Sequence, residues 1–419
     1  MNRIVLIGNG FDLAHGLPTR YEDFILWYWD AVVDGFYDNY TNIAADKLYS
    51  FKIKDQIKSW NIFAYKHIAA LTKICGKEVI DKIIASTDSF EVNYTPFFNN
   101  ICKSIETKGW VDVEAEYYNL LGSFLWESKY DNPKILNDEL YFLRDKLIEY
   151  LNIIQERQVK SNIINLQISK IIFSPFSADE ISIRGMKYLD EHIASRCMLD
   201  EKHFLAIIKP YYDRSDIECA WLWYRDNYQI DNMLDSSTVQ NVGCESEYFL
   251  RPGRIMLLNF NYTSMADMYL QGSSDVFTVN HIHGHLNEPE NVIFGYGDER
   301  DEKYKQIMNL QDNEYLRNIK SVKYLETDNY RKLLSFADSA PFQIYIMGHS
   351  CGNSDGTLLN TLFEHNNCVS IKPYYYVKDG KDNYNDLIAN ISRNFNDMRI
   401  MRDLVVNKTF CEPLPQNCM

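Results

Sequence analysis

The chain has 419 residues, with 43 lysines and arginines against 58 aspartates and glutamates, a formal charge of −15. A surplus of acid with no basic run argues against a general binder of nucleic acid or of anionic membranes. The first segment is short, nearly uncharged and broken at Gly8, and no apolar run approaches membrane-spanning length. Neither a cleavable signal nor a membrane span is expected, and the cytoplasm is the expected compartment.

This length suits one large elaborated domain or two. The nine cysteines, Cys75, Cys102, Cys197, Cys219, Cys244, Cys351, Cys368, Cys411 and Cys418, are scattered, and none forms a CxxC pair. They read as idle or buried thiols, with neither a disulfide framework nor a cysteine zinc site. The 30 tyrosines and 22 phenylalanines suit a large core and also stacking surfaces.

In chain order, the first feature is VLIGNGFDLAHGLP, ending at Pro18. Ile4 to Ile7 form an apolar run expected as a strand buried on both faces, as in a parallel sheet. Gly8 and Gly10 then allow a sharp turn with no Cβ between the main chain and anything lying on it. Such a turn can aim amides at a phosphate. The usual GxGxxG fingerprint needs a third glycine where this chain has Leu13. A tight turn without a ligand stays open as the plainer account.

From Tyr21 to Tyr248 the apolar period is mostly helical. Leu143, Leu147, Ile148, Leu151 and Ile154 mark one amphipathic face, and FILWYWDAVVDGF and LDEHIASRCMLDEKHFLAIIKPYY read as others. From Arg254 the texture changes to short apolar runs ending in Gly, Asn or Ser: RIMLLNF, VFTVNHIHG, NVIFGYG, FQIYIMGHS and CVSIKPYYYV. Helical stretches lie between some of them, the cadence of a parallel sheet with crossover helices. The expected fold is α/β, a Rossmann-type parallel sheet with a large helical insertion. Residues 1–20 plus 250–410 form its discontinuous core, and residues 21–249 form a mainly helical insertion.

In open α/β sheets ligands bind beyond the carboxyl ends of the strands. Here those ends carry Gly8-Asn9-Gly10, Asn259 to Tyr262, His281 to Gly284, Phe294 to Gly297, and Gly348-His349-Ser350. Small residues, amides and imidazoles on one rim suit a polar ligand with phosphates. Asn261 follows a wholly apolar run and either caps a helix or holds a ribose hydroxyl or a water; Asn259 is a second candidate. His281, His283 and His285 would share a face and suit a metal only if the strand continued, and Gly284 interrupts it, so no metal is expected. His283 is the candidate general base, beside a glycine that permits close approach. Ser354 or Asp355 can cap the next helix; alternatively Ser350 and Asp355 bond a ribose or adenine edge. The run Gly348-His-Ser350-Cys-Gly352 also has the form of a hydrolase nucleophile elbow.

Together these stretches resemble the sirtuin NAD-binding fold. Gly8, Gly10, Gly16 and Pro18 fall in register with the pattern GAGIS-xxx-GIP, and Asn261 matches the asparagine of the QN motif. NHIHG is similar to the catalytic xLHG, NVIFGYG to the VVxFGE segment and GHS to the GTS turn. The whole chain is similar to the AbiH family of phage abortive-infection proteins, through VLIGNGFDLAHGLPT, the series NFNYT, HIHG and GHS, and GWVDVEAEY over Gly109 to Tyr117.

The departures are equally specific. The paired zinc cysteines of sirtuin deacetylases are missing, Thr263 stands where QNxD has Asp, and Asp12 stands where sirtuins have Ser. What the resemblance implies is an antiphage effector that cleaves NAD, its substrate, to nicotinamide and ADP-ribose without a metal. Asn261, His283 and Asp12 are then the catalytic group. Gly8, Asn9, Gly10, Phe11, Asn259, Gly284, Gly295, Gly348, Ser350 and Asp355 are expected to line the NAD cleft. A non-catalytic NAD or nucleotide sensor is the alternative, and a serine hydrolase at Ser350 a third. A phage protein as trigger and a homo-oligomer are left open as partners.

Overall fold

The computed structural model describes residues 1–39, 43–53, 90–126, 129–159, 164–196, 250–270, 276–297 and 299–417. Cys75, Cys197, Cys219, Cys244, Cys418 and the expected helical run beyond residue 196 lie outside the described residues. The strands used below are β1 (Asn2–Ile7), β2 (Ile43–Ala45), β3 (Tyr49–Ile53), β4 (Phe90–Tyr94), β5 (Ile255–Asn259), β6 (Phe277–His281), β7 (Phe342–Met347) and β8 (Cys368–Tyr374). The chain forms two compact units, Met1–Gly16 with Ile163–Ile282 and Asp328–Met419, and Leu17–Asn162 with His283–Thr327. These units cut the chain at other positions than the change of texture: residues 283–327 go with the second unit.

The first unit is built on a five-stranded sheet in the order β6-β5-β1-β7-β8. Every pairing is parallel. Numbered by appearance within this sheet the order is 3-2-1-4-5, so the unit is a Rossmann-like α/β fold. β1, β5, β7 and β8 are buried along their whole length, as expected of aliphatic and β-branched runs covered on both faces. β6, at one edge, is partly exposed.

One departure from an apolar sheet is Arg3, which is fully buried. Its guanidinium donates to Gln343 Oε1 at 2.9 Å and to the carbonyls of Ile172 and Ser174 at 3.0 and 2.6 Å, and lies 4.1 Å from the Tyr345 ring centroid. A buried cation persists there because its donors are spent on oxygens and its flat face on an aromatic ring.

The second unit contains helices Tyr21–Asn39, Pro96–Lys108, Val113–Ser123 and Pro133–Val159. Thr95 caps the second of these and Pro96 opens it, while Gly109, at φ 73°, ends it in the left-handed region. The span 21–249, expected to be mainly helical, also holds the antiparallel sheet β2-β3-β4. Its signal is short: Tyr49 and Phe51 alternate with Ser50 and Lys52, a period of two between helical runs. Trp29 packs on this sheet, 6.2 Å from the Tyr49 ring and 5.8 Å from that of Phe51.

The run NVIFGYG, expected as a strand, is buried but is not one. Its backbone bonds loops: Ile293 N donates to the His283 carbonyl at 2.9 Å and Tyr296 N to the Asn318 carbonyl at 3.1 Å. Among the described residues no helix is long and apolar enough to cross a membrane.

Candidate functional site

In the first unit β1 lies between β5 and β7, with Ile7 opposite both Asn259 and Met347. The three strands therefore end level, at the point where strand order reverses, which is where open α/β sheets present their crevice. The glycine turn closes on the neighbouring turn here. Gly8 N donates to the Met347 carbonyl at 3.2 Å, Gly10 N to the Gly348 carbonyl at 2.9 Å, and Phe11 N to the Gly8 carbonyl at 2.8 Å. A Cβ on Gly10 would sit 2.7 Å from Gly348 Cα, and one on Gly348, where φ is +75°, would sit 2.1 Å from Phe11 N.

The glycines thus serve backbone-on-backbone contact between two turns, and the amides of Gly8 and Gly10, expected to face a phosphate, are taken by protein carbonyls, as is that of Phe11. Phe11 belongs to the core: it is fully buried, its ring 4.6 Å from His15 and 5.6 Å from Tyr269. Asn9 is exposed at this end.

Asp12 and Asn261 meet directly. The Asn261 side-chain amide donates to the Gly8 carbonyl at 3.0 Å and to Asp12 Oδ1 at 2.9 Å, and Thr263 Oγ1 donates to Asp12 Oδ2 at 2.6 Å. The backbone carbonyl of Gly8 can only accept, which fixes the nitrogen of Asn261 toward it. Asn261 Oδ1 has no hydrogen-bond partner among the described residues, and its residue is half-buried. Asn261 does not cap a helix; it ties the exit of β5 to the turn after β1. Asp12 is 1% exposed. Burial pushes its carboxyl up to about 7, against the pull of the Thr263 and Asn261 hydrogen bonds.

Asn259 ends β5 and is fully buried. Its Oδ1 accepts from Asn261 N at 3.0 Å, and its amide nitrogen lies 3.1 Å from the Thr263 carbonyl and 3.2 Å from His281 Nδ1. Since that nitrogen must donate, His281 Nδ1 accepts, the proton sits on Nε2, and Nε2 faces Asp267 Oδ2 at 3.0 Å. Both nitrogens of His281 are therefore engaged by protein groups.

His283 and Gly284 belong to the second unit and are buried. His283 Nε2 is 3.3 Å from Tyr324 Oη, with the two rings nearly parallel. Gly295 donates its amide to Glu114 Oε1 at 3.1 Å, and Lys320 Nζ donates to Glu114 Oε2 at 2.9 Å. Gly295 is thus held by a buried ion pair. Sequence reasoning gave GWVDVEAEY no structural role, yet Asp112 caps the following helix by accepting from Ala115 N and Glu114 anchors residues 295 and 320. The legible signal was an acidic residue between Val113 and Ala115 at a helix start.

After β7, His349 Nδ1 accepts from Cys351 N at 3.0 Å, its Nε2 lies 3.4 Å from Asp355 Oδ2, and its ring lies 4.1 Å from that of Phe260. Asp355 is buried, and its carboxylate faces His349. Ser350 is exposed and has no histidine partner among the described residues. The left-handed residues of this turn are Gly348 and Cys351, whose thiol burial drives well above its usual range. Among the described residues the nucleophile elbow read from GHSCG has no base beside its serine.

No curated protein and no solved structure matches the chain. The model of one family, described as Bacteriophage abortive infection AbiH, matches residues 4–376. That match takes in both units, from the glycine turn through Asn261, Thr263 and Glu114 to the end of β8, and the chain belongs to the AbiH family.

Proposed function

We propose that this protein is an antiphage abortive-infection effector that cleaves NAD to nicotinamide and ADP-ribose at the carboxyl rim of the parallel sheet. The observation that carries the reading is Asn261: a half-buried amide, pinned through both hydrogens beside the strand-order reversal, with its oxygen left for a ligand. Family membership supports the abortive-infection role. The sirtuin resemblance of the glycine turn, Asn261 and HIHG supports NAD as substrate. Because the amides of Gly8, Gly10 and Phe11 are spent, the diphosphate in this reading approaches over the exposed Asn9 and Ser350.

The reaction breaks the bond between ribose C1′ and the nicotinamide nitrogen, which leaves with the electron pair, while water adds its oxygen to C1′ and loses a proton. An oxocarbenium-like state lies between. Asn261 orients the ribose or the water, and the resemblance gives His283 the proton. No metal enters this scheme.

Incubating the purified protein with NAD, alone and with infected-cell lysate, and following nicotinamide release tests it. Release is expected. NAD left intact at high protein in both conditions, but bound, favours the sensor reading. That no histidine stands beside Ser350 among the described residues disfavours the serine hydrolase.

A further inference from the structure

Asp12 stands at the end of β1 where a charged group is easily read as an electrostatic partner for a cationic transition state. Its surroundings favour another role. Both oxygens are engaged, one by Asn261 and one by Thr263, and the residue is 1% exposed. A carboxylate that faces its own protein on both oxygens presents little charge to a ligand. What it does is hold an amide. Asn261 has two amide hydrogens, directed to the Gly8 carbonyl and to Asp12, so its side chain cannot flip without breaking both bonds.

Thr263 completes the unit. Its residue is buried, and its hydroxyl can reverse, donating to a carboxylate or accepting from an amide. Asn259 adds a second restraint on the same turn, because its Oδ1 holds the backbone nitrogen of Asn261. Asn261 is therefore fixed at the main chain and at the side chain, and its Oδ1 is the atom left over.

We infer that Asp12 is a positioning residue: with Thr263 it locks the Asn261 amide so that Oδ1 is a fixed acceptor for a ligand's hydroxyl or amide hydrogens. The ligand class this selects is one that brings donors to the rim, such as a ribose diol or a primary carboxamide. The inference deepens the NAD reading above and rests on it for the identity of the ligand, while the lock itself is a property of the free protein.

The lock and the charge make opposite forecasts for one substitution. In Asp12→Asn the side-chain oxygen still accepts from Asn261, and its nitrogen donates to Thr263 Oγ1, so the geometry survives without the charge. In Asp12→Ala both bonds are lost. Two measurements on the full chain decide. The first uses no ligand: the Asn261 side-chain NH2 signal, assigned by its loss in Asn261→Ala, is followed by hydrogen exchange. Exchange slow in the parent and in Asp12→Asn, and faster by about tenfold or more in Asp12→Ala, is expected, since one net hydrogen bond is of that size.

The second is NAD affinity by calorimetry with nicotinamide release beside it. Asp12→Asn is expected to stay within about threefold of the parent and Asp12→Ala to lose about tenfold or more. Equal loss in both variants would show that the charge matters and overturn the inference. So would an Asn261 amide that exchanges no faster in Asp12→Ala. A parent that neither binds nor cleaves NAD would sink the NAD reading alone, and the exchange experiment would still decide the lock.

Discussion

Thr263 Oγ1 donates a 2.6 Å hydrogen bond to Asp12 Oδ2 across 251 positions of sequence, joining the turn after β1 to the exit of β5. The carboxyl that accepts it is buried and held up to about 7, against an ordinary value of 3.8. An unfolded chain ionises this group near 3.8, while the folded chain keeps its proton until about 7. The contribution to stability is thus complete below the unfolded value and is lost as pH rises through the folded one. Asp12→Asn removes the titration. Urea midpoints of parent and variant should diverge between about pH 4 and 7, the parent losing roughly 1–4 kcal/mol relative to the variant, and run parallel above. Parallel curves across the whole window would show that burial does not raise this carboxyl.

The contact between Gly10 and Gly348 predicts an unusual cost. At an open turn, glycine to alanine costs roughly 1 kcal/mol through backbone preference. Gly16, at φ +80° with nothing within 4 Å of where a methyl would stand, is that ordinary case. At Gly10 and Gly348 the methyl meets backbone at 2.7 and 2.1 Å. Gly10→Ala and Gly348→Ala should each cost roughly 2–4 kcal/mol or prevent folding, while Gly16→Ala loses about 1. Chemical denaturation of the three variants checks it; equal losses would mean the two turns separate freely.

Much of the first unit was legible in the sequence. β1, β5, β7 and β8 declare themselves because a strand buried on both faces is predominantly apolar, as RIVLI, IMLLN, FQIYIM and CVSIKPY are, while the polar Arg3, Gln343, Ser370 and Lys372 within them find hydrogen-bond partners. The rim residues were legible because they follow those runs. Less legible was what the rim residues do to one another. Gly10 and Gly348 lie at opposite ends of the chain, and nothing local says that each glycine exists for the other. Likewise Asp12 and Thr263 were two separate oddities in sequence and are one hydrogen bond in space. NVIFGYG misled because burial, which its composition does signal, is not strand pairing. The small sheet β2-β3-β4 hid because a few residues of alternation weigh little beside long helical periods.

Glu114 and Lys320 form an ion pair whose side chains are 11% and 1% exposed. Removing one partner of such a pair leaves a charge without compensation, and Glu114 also serves the Gly295 amide. Lys320→Met should lower stability by roughly 3 kcal/mol, Glu114→Gln by somewhat less because Gln can still accept from Gly295, and the double variant by less than the sum. Thermal and urea unfolding of the four proteins in the cycle measure the coupling. Additive losses would mean the two groups act independently.

The last prediction concerns His283, which the NAD reading treats as the proton acceptor and which packs against Tyr324. Alanine there is a poor test, because a buried ring deleted leaves a cavity costing roughly 2–4 kcal/mol whatever its chemistry. Glutamine fills more of the space and places an amide near the position of Nε2, but it cannot take up a proton at neutral pH. If His283 accepts the proton, His283→Gln should fold with a Tm within about 4 °C of the parent and lose nicotinamide release by roughly 100-fold or more. Tyr324→Phe, which removes only the hydroxyl 3.3 Å from Nε2, should keep most of the release. A packing role forecasts the reverse: release scaling with the amount of folded protein in all three, and His283→Gln turning over NAD at nearly the parent rate. That second pattern would remove His283 from the reaction and leave Asn261 as the residue on which the NAD reading stands.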